Sequence, residues 1–260
     1  MKNYSLLFIF IIALGTICAQ ERSSFFNKKF EHFTVDVLEN FYGWEGNILD
    51  KYSPDGKLVA TYSNKSWGNI TRVDASIPSK ILVFYQESGT ILFLDSKLSP
   101  AGNCINLFDK GLFSISTAAI LSSNSIALFD LTSQNLYISD FDLNVKLTTP
   151  CNFGEEFVPV ISNTLLDKEI LLVNKSGLYF FDKFGSFEKQ LPITDIISSQ
   201  LNKNTLFYLR HDRIHKYDLQ TLSMEIFPLE KEDIKEFYIS SNYIFILDIS
   251  GEIFKYSTKK

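Results

Sequence analysis

Ile170-Leu171-Leu172-Val173-Asn174-Lys175-Ser176-Gly177-Leu178-Tyr179-Phe180-Phe181-Asp182 is the stretch whose reading decides the fold. Two apolar runs, each too short for a helix of ordinary length, flank a polar turn that ends in Ser-Gly. The glycine supplies the positive φ that a tight hairpin needs, and an aspartate closes the unit. The same pattern recurs over residues 81–95, 126–142, 206–218 and 244–257, with further Ser-Gly pairs at Ser88-Gly89 and Ser250-Gly251. An earlier copy reads as a strand over 33–38, a longer connection over 39–46 and a second strand over 47–52.

Working outward, the closing residues fall at 53, 95, 142, 182, 218 and 257, which are 36 to 47 residues apart. A further strand follows each closing turn, at 57–63, 103–107, 145–149, 187–191 and 223–228, and another precedes each hairpin, at 70–75, 113–120, 157–161, 196–199 and 234–240. A period near forty with four short strands per unit is the signature of a β-propeller. The expected fold is therefore all-β, with six four-stranded blades ordered as inner strand, hairpin and outer strand. The sixth unit runs out of chain before its outer strand, and residues 20–32 are expected to supply it, because an open ring would leave sheet edges unpaired. Ser53-Pro54-Asp55-Gly56 is the most specific local turn: proline sets the first φ, aspartate caps, and glycine takes positive φ.

The N-terminus reads as a secretory signal over 1–19. Lys2 is followed by an apolar run from Leu6 to Leu14, too short to span a bilayer, then by Ala19 before polar Gln20-Glu21-Arg22. Ile17 stands where a lipoprotein signal needs a small residue before Cys18, so plain cleavage after Ala19 is expected. Residues 20–260 then form one propeller domain, periplasmic, secreted or at the cell surface, with no membrane span after cleavage. The formal charge of −5 and the lack of a basic run argue against nucleic acid as a partner.

Tyr62-Ser63-Asn64, Gly68-Asn69-Ile70, Asp74, Pro78, Ile81-Leu82-Val83-Phe84-Tyr85 and Leu94-Asp95 follow one another over residues 48–110. This series resembles a family of exported, propeller-like proteins from Bacteroidetes-type bacteria. The whole chain is similar to the broad YVTN, NHL and WD-repeat type of propeller, without a regular Gly-His or Trp-Asp signature. The resemblance implies export and a propeller, and it brings no activity. Trp67 departs from the family pattern, which has an aliphatic residue there.

No catalytic constellation is legible, and no cofactor or metal site is expected. His211 and His215 are four apart but fall in a turn and a strand, with no cysteine or third histidine near in sequence. Asp95, Asp142, Asp182 and Asp218 recur at one repeat position and read as caps of their own turns. Cys104 and Cys151 each lie nine residues after a closing aspartate. That spacing places them in equivalent positions of adjacent blades, too far apart to pair. Trp44 is expected in the loop of the first hairpin and Trp67 in the next interblade loop. With Tyr42, Glu87, His211 and Asp212 they make the candidate binding face; the competing reading packs both indoles over the blade ends. The expected function is non-catalytic binding, by a monomer, of a protein or glycan through one propeller face. The alternative is a hydrolase or lactonase built on Arg72, Asp74, Glu156, Lys235 and Glu236 around the central channel.

Overall fold

The computed structural model describes residues 24–154, 157–165, 168–227, 229 and 232–258, so the expected signal at 1–19 lies outside the described residues. The chain is a ring of six antiparallel sheets with one short 3-10 turn at Phe108–Lys110. The first blade comprises β1 (His32–Val35), β2 (Phe41–Glu45), β3 (Ile48–Tyr52) and β4 (Leu58–Ser63), and the second β5 (Arg72–Asp74), β6 (Ile81–Tyr85), β7 (Thr90–Leu94) and β8 (Ile105–Asn106). The third holds β9 (Ile115–Ser122), β10 (Ser125–Asp130), β11 (Asn135–Ser139) and β12 (Val145–Pro150). The fourth holds β13 (Val160–Leu165), β14 (Glu169–Asn174), β15 (Gly177–Asp182) and β16 (Phe187–Leu191). The fifth holds β17 (Ser198–Asn202), β18 (Thr205–Arg210), β19 (Arg213–Asp218) and β20 (Met224–Ile226). The sixth has three strands: β21 (Ile234–Ile239), β22 (Tyr243–Asp248) and β23 (Ile253–Ser257). Each inner strand packs on the next, and β21 returns onto β1, which closes a six-bladed propeller.

Both faces of each blade are apolar because each is covered by a neighbouring blade. The middle strands β6 and β7 are buried at every position. Such strands read as continuous apolar runs rather than as alternation. The buried side chains sort into six clusters, one at each junction between blades. Each fully buried Leu, Ile or Phe contributes about 1.5–3 kcal/mol of transfer free energy.

One turn recurs throughout the ring. Asp95 accepts from the backbone N–H of Lys97 and Ser99, Asp182 from Phe184 and Ser186, and Asp248 from Ser250 and Glu252. The residue before the last of these donors takes positive φ: Leu98, Gly185 and Gly251. Asp218 caps a turn one residue longer, through Gln220 and Thr221. In the third blade the cap is Asp140, which receives Asp142 and Asn144, so Asp142 is a turn residue and not the closing one. Phe141, between the two acids, packs against the cluster between blades two and three, which sets Asp140 at the end of the strand.

The first blade also differs from expectation. Asp36 caps a turn over 36–40, accepting from the N–H of Leu38 and Asn40, with Glu39 at φ 64°. The chain therefore reverses early, and Phe41-Tyr42-Gly43-Trp44-Glu45, expected as part of a long loop, is strand β2. Gly43, which reads as a breaker, is there because the Phe30 ring occupies the space a Cβ would fill.

Phe30 belongs to the segment that completes the sixth blade. The N–H of Phe25 donates to Ile253 O and that of Phe30 to Gly251 O, so residues 25–30 run antiparallel along β23 without forming a regular strand. Phe25, Phe26 and Phe30 bury their rings among Phe41, Tyr52 and Phe245. Across the same seam Ser240 and Asn242 donate to Glu39 Oε1, at 3.0 and 2.9 Å, and Lys255 Nζ donates to Pro54 O.

Both cysteines in the described residues are free thiols. They are not equivalent: Cys104 precedes the outer strand β8 and is exposed, whereas Cys151 follows the outer strand β12 and is buried. Burial pushes the Cys151 thiol up to about 11.

Partly buried tyrosines make the fold sensitive to alkali. Burial, with Asp50 adding, pushes the Tyr52 hydroxyl up to about 12. Burial also raises Tyr238 to about 12, helped by Asp36 and Asp74. Unfolded tyrosine ionises near ~10. The native state thus keeps protons that the unfolded chain releases, and stability present below that pH is lost as pH climbs through the native values. Lys51 and Lys255, held below the usual lysine range chiefly by burial, act oppositely and add stability as pH rises toward ~10.4. The melting temperature is therefore expected to fall steeply above about pH 10.5, and Tyr238→Phe to flatten that fall. Thermal melts across this range check it.

Candidate interaction face

Two kinds of loop share one face of the ring: the turns inside each hairpin of middle strands, and the connections from each outer strand to the next inner strand. Direct contacts bind them together. Ile70 N–H, in the first interblade connection, donates to Gly46 O of the first hairpin turn. Gly68, at φ +83°, lies under the carboxylate of Glu87 in the second hairpin turn. The fifth hairpin turns on His211 and Asp212, both at positive φ (48° and 57°), the geometry of a type I′ turn.

The expected site residues separate into two groups. Glu87, His211 and Asp212 are exposed on this face, in their hairpin turns. Trp67 lies in the connection between β4 and β5, half-buried, with its indole edge-on to Tyr85 at 5.5 Å. Tyr42 and Trp44 do not lie in a loop. They occupy β2, are 0% and 5% exposed, and pack in the cluster between blades one and two. The Tyr42 hydroxyl donates to Asp36 at 2.9 Å, and burial beside that carboxylate raises its pKa. The Trp44 indole stacks on His32 at 5.5 Å. Trp67 and Glu87 flank Gly68, whereas His211 and Asp212 sit in blade five, across the ring.

What this face does expose is aliphatic and phenylalanine surface that the sequence reading missed. Phe108 and Phe113 lie between β8 and β9, Val158 between β12 and β13, and Ile197 between β16 and β17; Ile249 is in the sixth hairpin turn. Phe113 is 69% and Ile249 70% exposed, and Phe108 stacks on Phe113 at 5.9 Å. The sequence pattern places Phe113, Val158 and Ile197 in inner strands, whereas they lie in the connections before them.

The central channel holds a polar cluster. Arg72 and Asp74 on β5, Glu236 on β21 and His32 on β1 come from three successive inner strands. Glu156 lies outside the described residues. Sequence reading treated the channel acids as scattered and missed His32, which the seam brings to them. Each carboxylate there is engaged in joining blades. Asp74 accepts from Ser76 N–H and, across to the third blade, from Ile120 N–H at 2.8 Å. Glu236 pairs with His32 Nδ1 and accepts from Phe33 N–H. Lys235 Nζ donates to Glu31 O. Burial lowers the pKa of Arg72 and the nearby charges of Asp74 and Glu236 oppose that. No group of three His, Cys, Asp or Glu side chains suited to a metal occurs among the described residues.

No family model and no curated protein matches the sequence. Solved structures match the fold. The WD40 β-propeller domain of Doa1 aligns with a TM-score of 0.60 at 13% identity, covering 85% of this chain and 76% of that one. A protein of unknown function from Bacteroides caccae gives 0.57 at 14% identity, covering 84% and 88%. Virginiamycin B lyase from Staphylococcus aureus gives 0.55 at 11% identity, covering 88% and 84%. The likeness is one of fold. A WD40 domain and a lyase stand side by side among these neighbours, so the fold by itself does not decide between binding and catalysis.

Proposed function

We propose that this chain is an exported, non-catalytic propeller that acts as a monomer and docks a protein on the face formed by its hairpin turns and interblade connections. The opposite face exposes Val37, Leu38, Phe184 and Leu222 in its own turns, so what supports this reading is the combination, on one face, of exposed apolar side chains with Trp67, Glu87, His211 and Asp212. Phe108, Phe113, Val158, Ile197 and Ile249 stand at or beside four successive blade junctions on that one face. Phe108 and Phe113 form one exposed apolar pair, and exposed apolar patches mark interaction sites. Trp67, Glu87, His211 and Asp212 supply polar and aromatic groups between them. A protein suits this surface better than a glycan, because two of the three aromatic rings that would stack on sugars, Tyr42 and Trp44, are buried. Export rests on the N-terminal pattern of Lys2, the apolar run from Leu6 to Leu14, and Ala19. The resemblance to exported Bacteroidetes-type proteins agrees with it.

The rival reading, a hydrolase or lactonase in the channel, draws on His32, Arg72, Asp74 and Glu236. Its two carboxylates already serve backbone N–H groups and a histidine that join neighbouring blades, which favours a structural role. The docking reading is tested by capture of the native partner. Phe113→Ser combined with Ile249→Ser is expected to weaken capture at least about tenfold while costing little stability. Phe184→Ser with Leu222→Ser, on exposed turns of the opposite face, is expected to leave capture unchanged. Equal capture by all forms contradicts the reading.

A further inference from the structure

The fifth hairpin gathers much of the chain's arginine and histidine. Arg210-His211-Asp212-Arg213-Ile214-His215 contains two of the four arginines and two of the three histidines in a protein of net charge −5. Strand register places them together. Arg210 pairs with Arg213 and Tyr208 with His215 across the β18–β19 ladder. Paired residues, and residues two apart along a strand, point to the same side of a sheet. Both arginines, His215 and Tyr208 therefore share the side of blade five that faces blade four, where Tyr208 packs with Phe180 and Leu201.

This positive cluster is poorly neutralised. Asp195, in the connection that covers the same junction, is the one carboxylate in ion-pair range of Arg210 among the described residues, and it lies 3.6 Å from Nη2. Arg210 Nε and His215 Nδ1 are buried and lack a well-aligned hydrogen-bond partner. Arg213 is exposed and forms no ion pair among the described residues. The His215 ring is held flat against Tyr208 at 4.8 Å. Burial first, and then the positive Arg210, His211 and Arg213, keep its pKa below the ordinary histidine value. The backbone N–H of Ile197 donates to Leu209 O, which sets this exposed apolar side chain beside Arg210. Guanidinium forks match carboxylates bidentately, which lysines cannot do.

We propose that this corner of the docking face binds the carboxylates of an acidic, apolar-flanked peptide segment, with Arg210 and Arg213 as the anchors and Ile197 as the apolar rest. The site deepens the docking reading and rests on it only in assigning the segment to a partner protein. An acidic segment also complements a hairpin that carries two arginines on a chain of net charge −5, and charge complementarity of this kind selects partners.

The test needs no native partner. An acetylated and amidated LDEL tetrapeptide is titrated into the protein at fixed pH and ionic strength, with His211 and His215 ring signals followed by NMR. The neutral LNQL peptide and inorganic phosphate are the comparison probes. Expected are saturable shifts with LDEL, a rise in the His215 pKa on saturation, little response to LNQL, and binding weaker by about tenfold or more in Arg213→Gln. Arg210→Gln, with its melting temperature checked, serves as the second variant and should behave alike. Three results overturn the proposal: an equal response to LNQL, a response unchanged in both variants, or saturation by phosphate with none by LDEL. Because the titration uses only the protein and short peptides, its failure leaves the Phe113 and Ile249 capture result standing. Loss of that result with an intact titration would instead remove the docking face.

Discussion

Phe30→Ala is expected to destabilise the protein by about 3–5 kcal/mol, the range for truncating a buried phenylalanine. Phe30 is 3% exposed, and its ring contacts Phe26, Phe41 and Tyr52. Its backbone N–H donates to Gly251 O at 2.9 Å, so the same residue ties the N-terminal segment to the last blade. Removing the ring leaves a cavity at the seam and frees one side of β23. Denaturant unfolding measures the loss, and limited proteolysis should show new cleavage near residues 24–30. A loss below about 0.5 kcal/mol, typical of a surface change, would mean that the segment does not close the ring. Gly43→Ala offers an internal check. Its Cβ would meet the rings of Phe30 and Phe41, so it should cost about 1–3 kcal/mol in the native protein. It should cost clearly less when Phe30 is already alanine, because the two sites share one space.

Trp44→Ala should cost a similar amount, about 3–5 kcal/mol, and leave partner capture intact. The indole is 5% exposed, packs between blades one and two, and stacks on His32. A binding tryptophan behaves the other way, costing little stability and much affinity. Thermal unfolding and capture measured on the same variant separate the two roles.

The ring was legible because its elements announce themselves locally. Ser176-Gly177 and Ser250-Gly251 mark hairpins whose strands carry continuous apolar runs, since neighbouring blades bury both faces of each sheet. Three features were hidden for physical reasons. The strand Phe41–Glu45 contains Gly43, and a glycine demanded by a distant phenylalanine looks the same in sequence as one demanded by a turn. Asp140 and Asp142 both suit a turn, and only the anchoring of Phe141 in the core decides which one caps. His32 meets Glu236 across 204 residues of sequence, at a seam that no local pattern reports.

The candidate face was legible as a surface and not as a list of side chains. Loop positions followed from the alternation of strands, which placed Trp67, Glu87, His211 and Asp212 correctly in loops. Exposure did not follow. Tyr42 and Trp44, the residues most suggestive of binding, are core, whereas Phe113 and Ile249, which look like core, are exposed. Burial in a propeller depends on the blade next door, and local composition does not encode it.

The docking face is tested most directly by photo-crosslinking in the native host. A benzoyl-phenylalanine placed at Phe113 or at Ile249 reports contact on the proposed face, and one at Leu222 or at Phe184 reports the opposite face. Discrete protein adducts from Phe113 and Ile249, with none from Leu222 and Phe184, are the predicted result. Adducts confined to Leu222 and Phe184, or none from any position in a correctly folded and localised protein, would contradict the account.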